Sequence, residues 1–242
     1  MEVFRQRFVV KRRSVLAALF LVAIIFTACK KDTPATVDFG YNYVPLKSGA
    51  FIIYDVDSIH FNDFIKTKDT FRFQLKEEIG LPFTDLLGNI SYEYKRYKRF
   101  YLVNVDINTL PFALTDVWYV TKLKDRYERV EESFRYSRLK FPVSEGATWN
   151  GNAFNSEDEW NYSIEEADVK YLSFDSTAIV LQRDVETRIS KQYYLEKYAR
   201  NVGLVYKKVI DVGSQNNSSV NIMDKIEKGT IYEWRYVSHG SN

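Results

Sequence analysis

The chain has 242 residues, 45% of them hydrophobic and 27% charged, with 34 basic side chains against 32 acidic. Its 17 Phe, 18 Tyr and 4 Trp exclude a disordered chain and supply enough apolar mass for a real core. One cysteine excludes intramolecular disulfides and thiolate-rich zinc or iron–sulfur sites, and two histidines leave little imidazole for catalysis.

The first element is a signal. Arg5, Arg7, Lys11, Arg12 and Arg13 face one acid, Glu2, and precede an unbroken apolar run from Val15 to Phe26. As a helix that run reaches about 18 Å, well short of a ~30 Å hydrocarbon core. A basic flank, a short apolar stretch and small exit residues predict a secretory signal helix over residues 1–28. Losing its cations and single acid leaves the rest of the chain slightly acidic, so no positive field argues for nucleic acid.

The lone cysteine sits where that signal would be cut, in Phe26-Thr27-Ala28-Cys29. This stretch resembles the lipobox of bacterial lipoproteins, with Phe26 in the place of the usual leucine. The resemblance implies cleavage before Cys29 and acylation of its thiol, and later of its amino group, by chains such as palmitate. Several acyl chains anchor durably, at ~0.8 kcal/mol per buried CH₂. The following Lys30-Lys31-Asp32 resembles lipoproteins of the Bacteroidota, many of them held in the outer membrane. Lys30 does not match the aspartate that retains enterobacterial lipoproteins at the inner membrane. An outer-membrane lipid anchor is therefore expected, with the periplasmic and cell-surface faces both open. Residues 29–39 read as a polar, flexible tether.

From residue 40 to 242 the dominant period is two. Predicted strands run through Phe51–His60; Phe71, Phe73 and Leu75; Tyr92–Asp106; Val117, Tyr119 and Thr121; and Arg126–Tyr136. They continue through Trp160, Tyr162 and Ile164; Ile179, Leu181, Arg183 and Val185; Leu204–Asp211; and Tyr232, Trp234 and Tyr236. Short helices are predicted near Phe83–Leu87 and Gln192–Ala199. The expectation is one all-β domain of roughly ten antiparallel strands, as a barrel, half-barrel or sandwich. A membrane-spanning barrel is excluded by strands charged on both faces. Pro45-Leu-Lys-Ser-Gly49-Ala50 is echoed by Pro142-Val-Ser-Glu-Gly146-Ala147. Either two similar halves meet near residues 137–141, or these are two ordinary strand entries. The opening Tyr43–Tyr54 and the late segment Tyr198–Tyr206 resemble segments of uncharacterised Bacteroidota lipoproteins, a resemblance that brings no activity with it.

Catalytic patterns are missing from the sequence: it has no phosphate loop, no G-x-S-x-G and no H-E-x-x-H. His60 ends a strand and His239 is placed in a frayed C-terminal tail. Asp55 with Asp57, the run Glu157-Asp158-Glu159, and Glu165 with Glu166 are the carboxylate pairs a hydrolase could use, each equally a solvated face. Tyr92–Tyr101 interleaves aromatics with cations; on a strand, Tyr92, Tyr94 and Phe100 share one face and Tyr97 and Tyr101 the other. Asp57-Ser58-Ile59 and Asp175-Ser176-Thr177 fit a loose O-glycosylation pattern.

Cys29 is thus the predicted lipidation site, and Trp149, Trp118, Tyr97 and Tyr101 are candidate contacts for a ligand or partner. Trp149, at a turn, is the least explained by core packing. No metal, cofactor, catalytic residue or nucleic acid is expected. The expected partners are the membrane, through Cys29, and an outer-membrane protein or glycan. Three roles follow: a non-enzymatic binding or structural accessory; a carrier of an apolar ligand on an inner face including Phe71, Phe73, Tyr119 and Ile179; and a carboxylate hydrolase. A dry cavity of several hundred Å³ would favour the carrier.

Overall fold

The computed structural model describes residues 36–242, so the signal helix, Cys29 and the tether up to residue 35 lie outside the described residues. Twelve strands follow one another: β1 (Ala50–Asn62), β2 (Thr67–Thr84), β3 (Ile90–Phe100), β4 (Ala113–Lys122), β5 (Arg126–Glu131) and β6 (Phe134–Lys140). Then come β7 (Thr148–Asn150), β8 (Asn161–Tyr171), β9 (Phe174–Glu186), β10 (Ser190–Ala199), β11 (Gly203–Gly213) and β12 (Lys228–Ser241). All belong to one antiparallel sheet in the order β6-β5-β4-β3-β2-β1-β12-β11-β10-β9-β8-β7. Two six-stranded meanders are therefore welded through the β1–β12 pair.

The sheet curls until its outer strands, β6 and β7, meet. Ser137 N donates to Gly151 O at 2.8 Å, and the indole Nε1 of Trp149 donates to Ser137 O at 2.8 Å. Lys140 Nζ reaches Thr148 O at 3.0 Å. These contacts replace a ladder, and the result is a nearly closed barrel. Of the three architectures open to the sequence, the barrel is the one formed.

Because successive strands are antiparallel, their connections alternate between two ends. The chain enters at one of them. There Arg200 holds Asp38 at 2.7 Å and Asn42 Oδ1 at 2.8 Å, while Val143 N donates to Phe39 O at 3.1 Å. Lys122 Nζ donates to Val44 O at 3.0 Å, and Tyr41 packs edge-on against Phe141 at 4.8 Å. The entry segment thus plugs its own end of the barrel with Tyr43 and Val44 buried.

Each meander opens on the same turn. Gly49 and Gly146 have φ of +82° and +77°, and their amides bond Ile79 O and Ile164 O, both at 2.8 Å. The sequence echo is an echo in geometry. No heavy atom lies within 4 Å of a Cβ added at Gly146, so Gly146→Ala tests the left-handed backbone alone. It should lower stability by about 1 kcal/mol in thermal or urea denaturation.

Several local expectations are corrected. Residues 192–199 belong to strand β10, and Phe83 and Thr84 end β2 before a turn at residues 86–88, so neither predicted helix forms. Arg126–Tyr136 is not one strand but a hairpin, β5–β6, turning where Glu132 takes φ of +55°. β3 stops at Phe100, short of Asp106. His239 is not frayed: it lies in β12 opposite Ile52 and bonds the Tyr236 hydroxyl at 2.7 Å. In β4 and β9 the period of two is right and the phase is inverted. The inner residues are Trp118 and Val120, not Val117 and Tyr119, and Ala178, Val180 and Gln182, not Ile179 and Leu181. Phe73 does face inward, whereas Phe71 is half exposed.

Outside, the central strands carry ion pairs: Lys76 with Glu78 at 2.6 Å, Lys95 with Glu93 at 2.9 Å, and Asp57 with Arg235 and Arg72. A lipid-facing band would not be laid with charges.

Candidate functional site

The barrel interior is not an oily core. Aromatic rings help to fill it, with Tyr54 of β1 against Trp234 of the neighbouring β12 at 5.2 Å between centroids. Threaded through them is a set of buried charges. β2 supplies Glu77, β3 Arg96, β5 Arg129 and Glu131, β6 Arg138, β10 Glu196 and β11 Lys207. Arg129, Glu77 and Glu196 are 2%, 2% and 0% exposed, which demands partners.

The partners are present. Arg96 Nε meets Glu77 Oε1 at 3.2 Å, and the Tyr94 hydroxyl donates to Glu77 Oε2 at 2.6 Å. Glu131 takes Arg129 Nε at 2.7 Å and also Arg138 Nη2. Glu196 meets Lys207 Nζ at 3.1 Å, takes the Tyr198 hydroxyl at 2.6 Å and lies 4.0 Å from Arg129 Nη2. Burial alone would raise the pKa of Glu196, but Lys207, Arg138 and Arg129 outweigh it and bring it down to about 2. Glu131 is opposed by burial in the same way and is held well below the carboxylate range by Arg129, Arg138 and Lys207. Lys207 is pushed down: its desolvation, with repulsion from Arg138 and Arg129, exceeds what Glu196 returns. Glu196 is therefore the hub, and Lys207 its most costly member.

Two spaces open from this interior, one toward each end. Under the entry segment lies a cavity of about 300 Å³, walled by apolar residues such as Leu46, Ile52, Ile79 and Leu204 and reaching Glu77 and Arg129. Toward the opposite end, between β6 and the strands β8 to β11, a cleft of about 580 Å³ is lined by Arg138, Gln182, Lys207, Trp160, Tyr162 and Tyr194 among others. Gln182 follows Ala178 and Val180 to the inner face by simple alternation. A β-bulge lies beside it: Leu181 pairs with Leu195 and Arg183 with Tyr194, which leaves Gln182 without a partner in β10 and brings Arg183 to the cleft as well.

The sequence candidates fall in different places. Trp118 is half-buried inside the barrel, with the Arg96 guanidinium 4.2 Å from its ring. Trp149 clasps the β6–β7 seam and stacks edge-on with Tyr162 at 5.7 Å. Tyr97 and Tyr101 share the outer surface. Lys76 lies 5.5 Å from the Tyr97 ring, and the Tyr101 hydroxyl donates to Asp55 at 2.5 Å. The four do not converge. Trp160, read in the sequence as part of a strand, lines the cleft instead.

The carboxylate pairs are not arranged as an acid and a base. Asp55 takes Gln74 and Tyr101, while Asp57 is paired with arginines. Among the described residues, every carboxylate whose ionisation is displaced is displaced downward, Asp168 to about 2 by the hydrogen bond from Arg200. A glycosidase general acid needs the opposite shift.

No protein-family model matches the chain, and no curated protein does. Among solved structures, a crystal structure of "a putative lipoprotein from Parabacteroides distasonis" is similar over 84% of this chain and 99% of that one. The two are 10% identical, with a TM-score of 0.35. A score of that size does not establish a common fold or role.

Proposed function

We propose that the chain is a lipid-anchored, non-enzymatic binding module of the outer membrane, held through Cys29. The observation that carries this reading is where the chain enters the barrel. Asp38, fixed by Arg200, stands nine residues after Cys29 and at the plugged end. A tether of that length spans at most ~30 Å. The incoming chain occupies the plugged end and leaves the opposite end, with its open cleft, unobstructed. Downward-shifted carboxylates and an interior committed to structural ion pairs support binding rather than hydrolysis.

Anchoring is tested directly. Cys29→Ala should abolish palmitate labelling and leave the signal uncleaved by the lipoprotein peptidase. A labelled, membrane-bound Cys29→Ala product would refute the anchor.

The apolar cavity favours a second reading, a carrier. A volume of about 300 Å³ lies at the small end for a ligand pocket. A fluorescent fatty acid should then bind with a Kd at or below about 10 μM, near −7 kcal/mol. Ile52→Trp, filling the wall, should abolish that signal. Binding that survives the filled cavity would rule out this location.

A further inference from the structure

The cleft at the end opposite the chain entry holds donors that the protein does not use. Arg138 is 6% exposed and Gln182 2%, yet neither Arg138 Nε nor Gln182 Nε2 has a hydrogen-bond partner. Each buried donor left unmet costs about 1–3 kcal/mol. Both belong to residues that line one cleft, and a ligand's acceptor oxygens would satisfy them. Around them stand the rings of Trp160, Tyr162 and Tyr194, with Trp160 and Tyr194 edge-to-face at 5.0 Å. At the rim, Glu157 and Asp158 are exposed and offer acceptors in return.

We infer that this cleft binds a neutral saccharide unit. The inference deepens the binding-module reading and rests on it, but not on acylation of Cys29. A sugar carries both halves of the required chemistry. Its hydroxyl oxygens can accept from Arg138 and Gln182 while its hydroxyl protons go to the rim carboxylates, and its C–H faces suit aromatic walls. An acyl chain would bury both donors unmet. An anionic ligand finds no field to hold it, because Arg138, Arg183 and Lys207 are balanced along the lining by Glu131, Glu157 and Asp158.

The test uses the full-length protein in a zwitterionic detergent lacking sugar headgroups. Neutral gluco-, manno- and galacto-oligosaccharides are titrated by calorimetry, with oligogalacturonate as the acidic comparison. At least one neutral series should bind, and more tightly than oligogalacturonate. Gln182→Leu should weaken that binding about tenfold, the worth of one hydrogen bond near 1.4 kcal/mol. It should not lower the thermal midpoint, because Gln182 Nε2 has no protein partner to lose. Gln182→Glu, which keeps the shape and removes the donor, should lose binding too. Absence of neutral-sugar binding, preference for oligogalacturonate, or unchanged affinity in the Gln182 variants would each overturn the proposal. Palmitate labelling at Cys29 reads the anchor separately, so the two failures are distinguishable.

Discussion

Glu196→Gln is expected to lower the unfolding free energy by about 3 kcal/mol, and Lys207→Met by about 1 kcal/mol, in urea denaturation at neutral pH. The asymmetry follows from the network. Glu196 is fully buried and faces Lys207, Arg129 and Arg138, so neutralising it strips buried Lys207 of its ion pair and leaves the two arginines with Glu131 alone. Removing one member of a buried ion pair generally costs about 3–5 kcal/mol. Lys207, by contrast, already carries a desolvation cost that Glu196 does not fully offset. Methionine keeps its length and apolar stem. After that change Glu196 still has the Tyr198 hydroxyl and the two arginines.

Acid should expose the same hub. A carboxylate whose folded pKa is about 2 against an ordinary 4.5 contributes stability that is complete above pH 4.5 and lost as pH falls toward 2. The displacement is worth about 3 kcal/mol. Glu131 is shifted in the same direction, so Glu196→Gln should flatten only part of the acid slope. Equal losses for the two variants, or a flat slope in the parent between pH 4.5 and 2, would show that the charges are not coupled in this way.

The polar interior is the part of this protein that its sequence concealed, and the reason is general. Alternation locates strands, and it located most of them. It assigns the inner face by apolarity, and here both faces of several strands are apolar enough to compete. In β4 the outward set includes Val117 and Tyr119, and in β9 Ile179 and Leu181, which outrank the inward Gln182. A reading by hydrophobicity must place Arg96, Arg129 and Glu196 in water, yet they sit inside: Arg96 pairs with Glu77 and Glu196 with Lys207 across neighbouring strands, and Arg129 of β5 reaches toward Glu196 of β10. The β5–β6 hairpin was hidden because its turn uses Glu132 at positive φ and no glycine, proline or asparagine. What alternation could give, an antiparallel all-β domain, it gave. The bulge beside Gln182, which brings Arg183 to the same cleft, leaves no trace in composition or period.

Trp149 should prove to be the clasp of the barrel. β7 is only three residues long, and β6 meets it through isolated bonds rather than a ladder. The indole contributes twice, donating to Ser137 O and packing edge-on against Tyr162. Trp149→Phe removes the first and keeps most of the second, at a cost of about 1 kcal/mol. Trp149→Ala removes both, and about 3 kcal/mol is expected, the low end for a buried aromatic because this ring is half-buried. The decisive readout is local. The Ser137 amide, which bonds Gly151 O across the seam, should exchange much faster in Trp149→Ala, beyond what the drop in global stability explains. Amides in the β1–β12 pair should follow global stability alone. If Ser137 and the β1–β12 amides lose protection in the same proportion, the seam opens only with the whole barrel and Trp149 is ordinary core. A seam that opens by itself would reach the cleft, because residues 151–160 run from it to Trp160. Saccharide affinity should then fall in Trp149→Ala although the side chain lies outside the cleft lining.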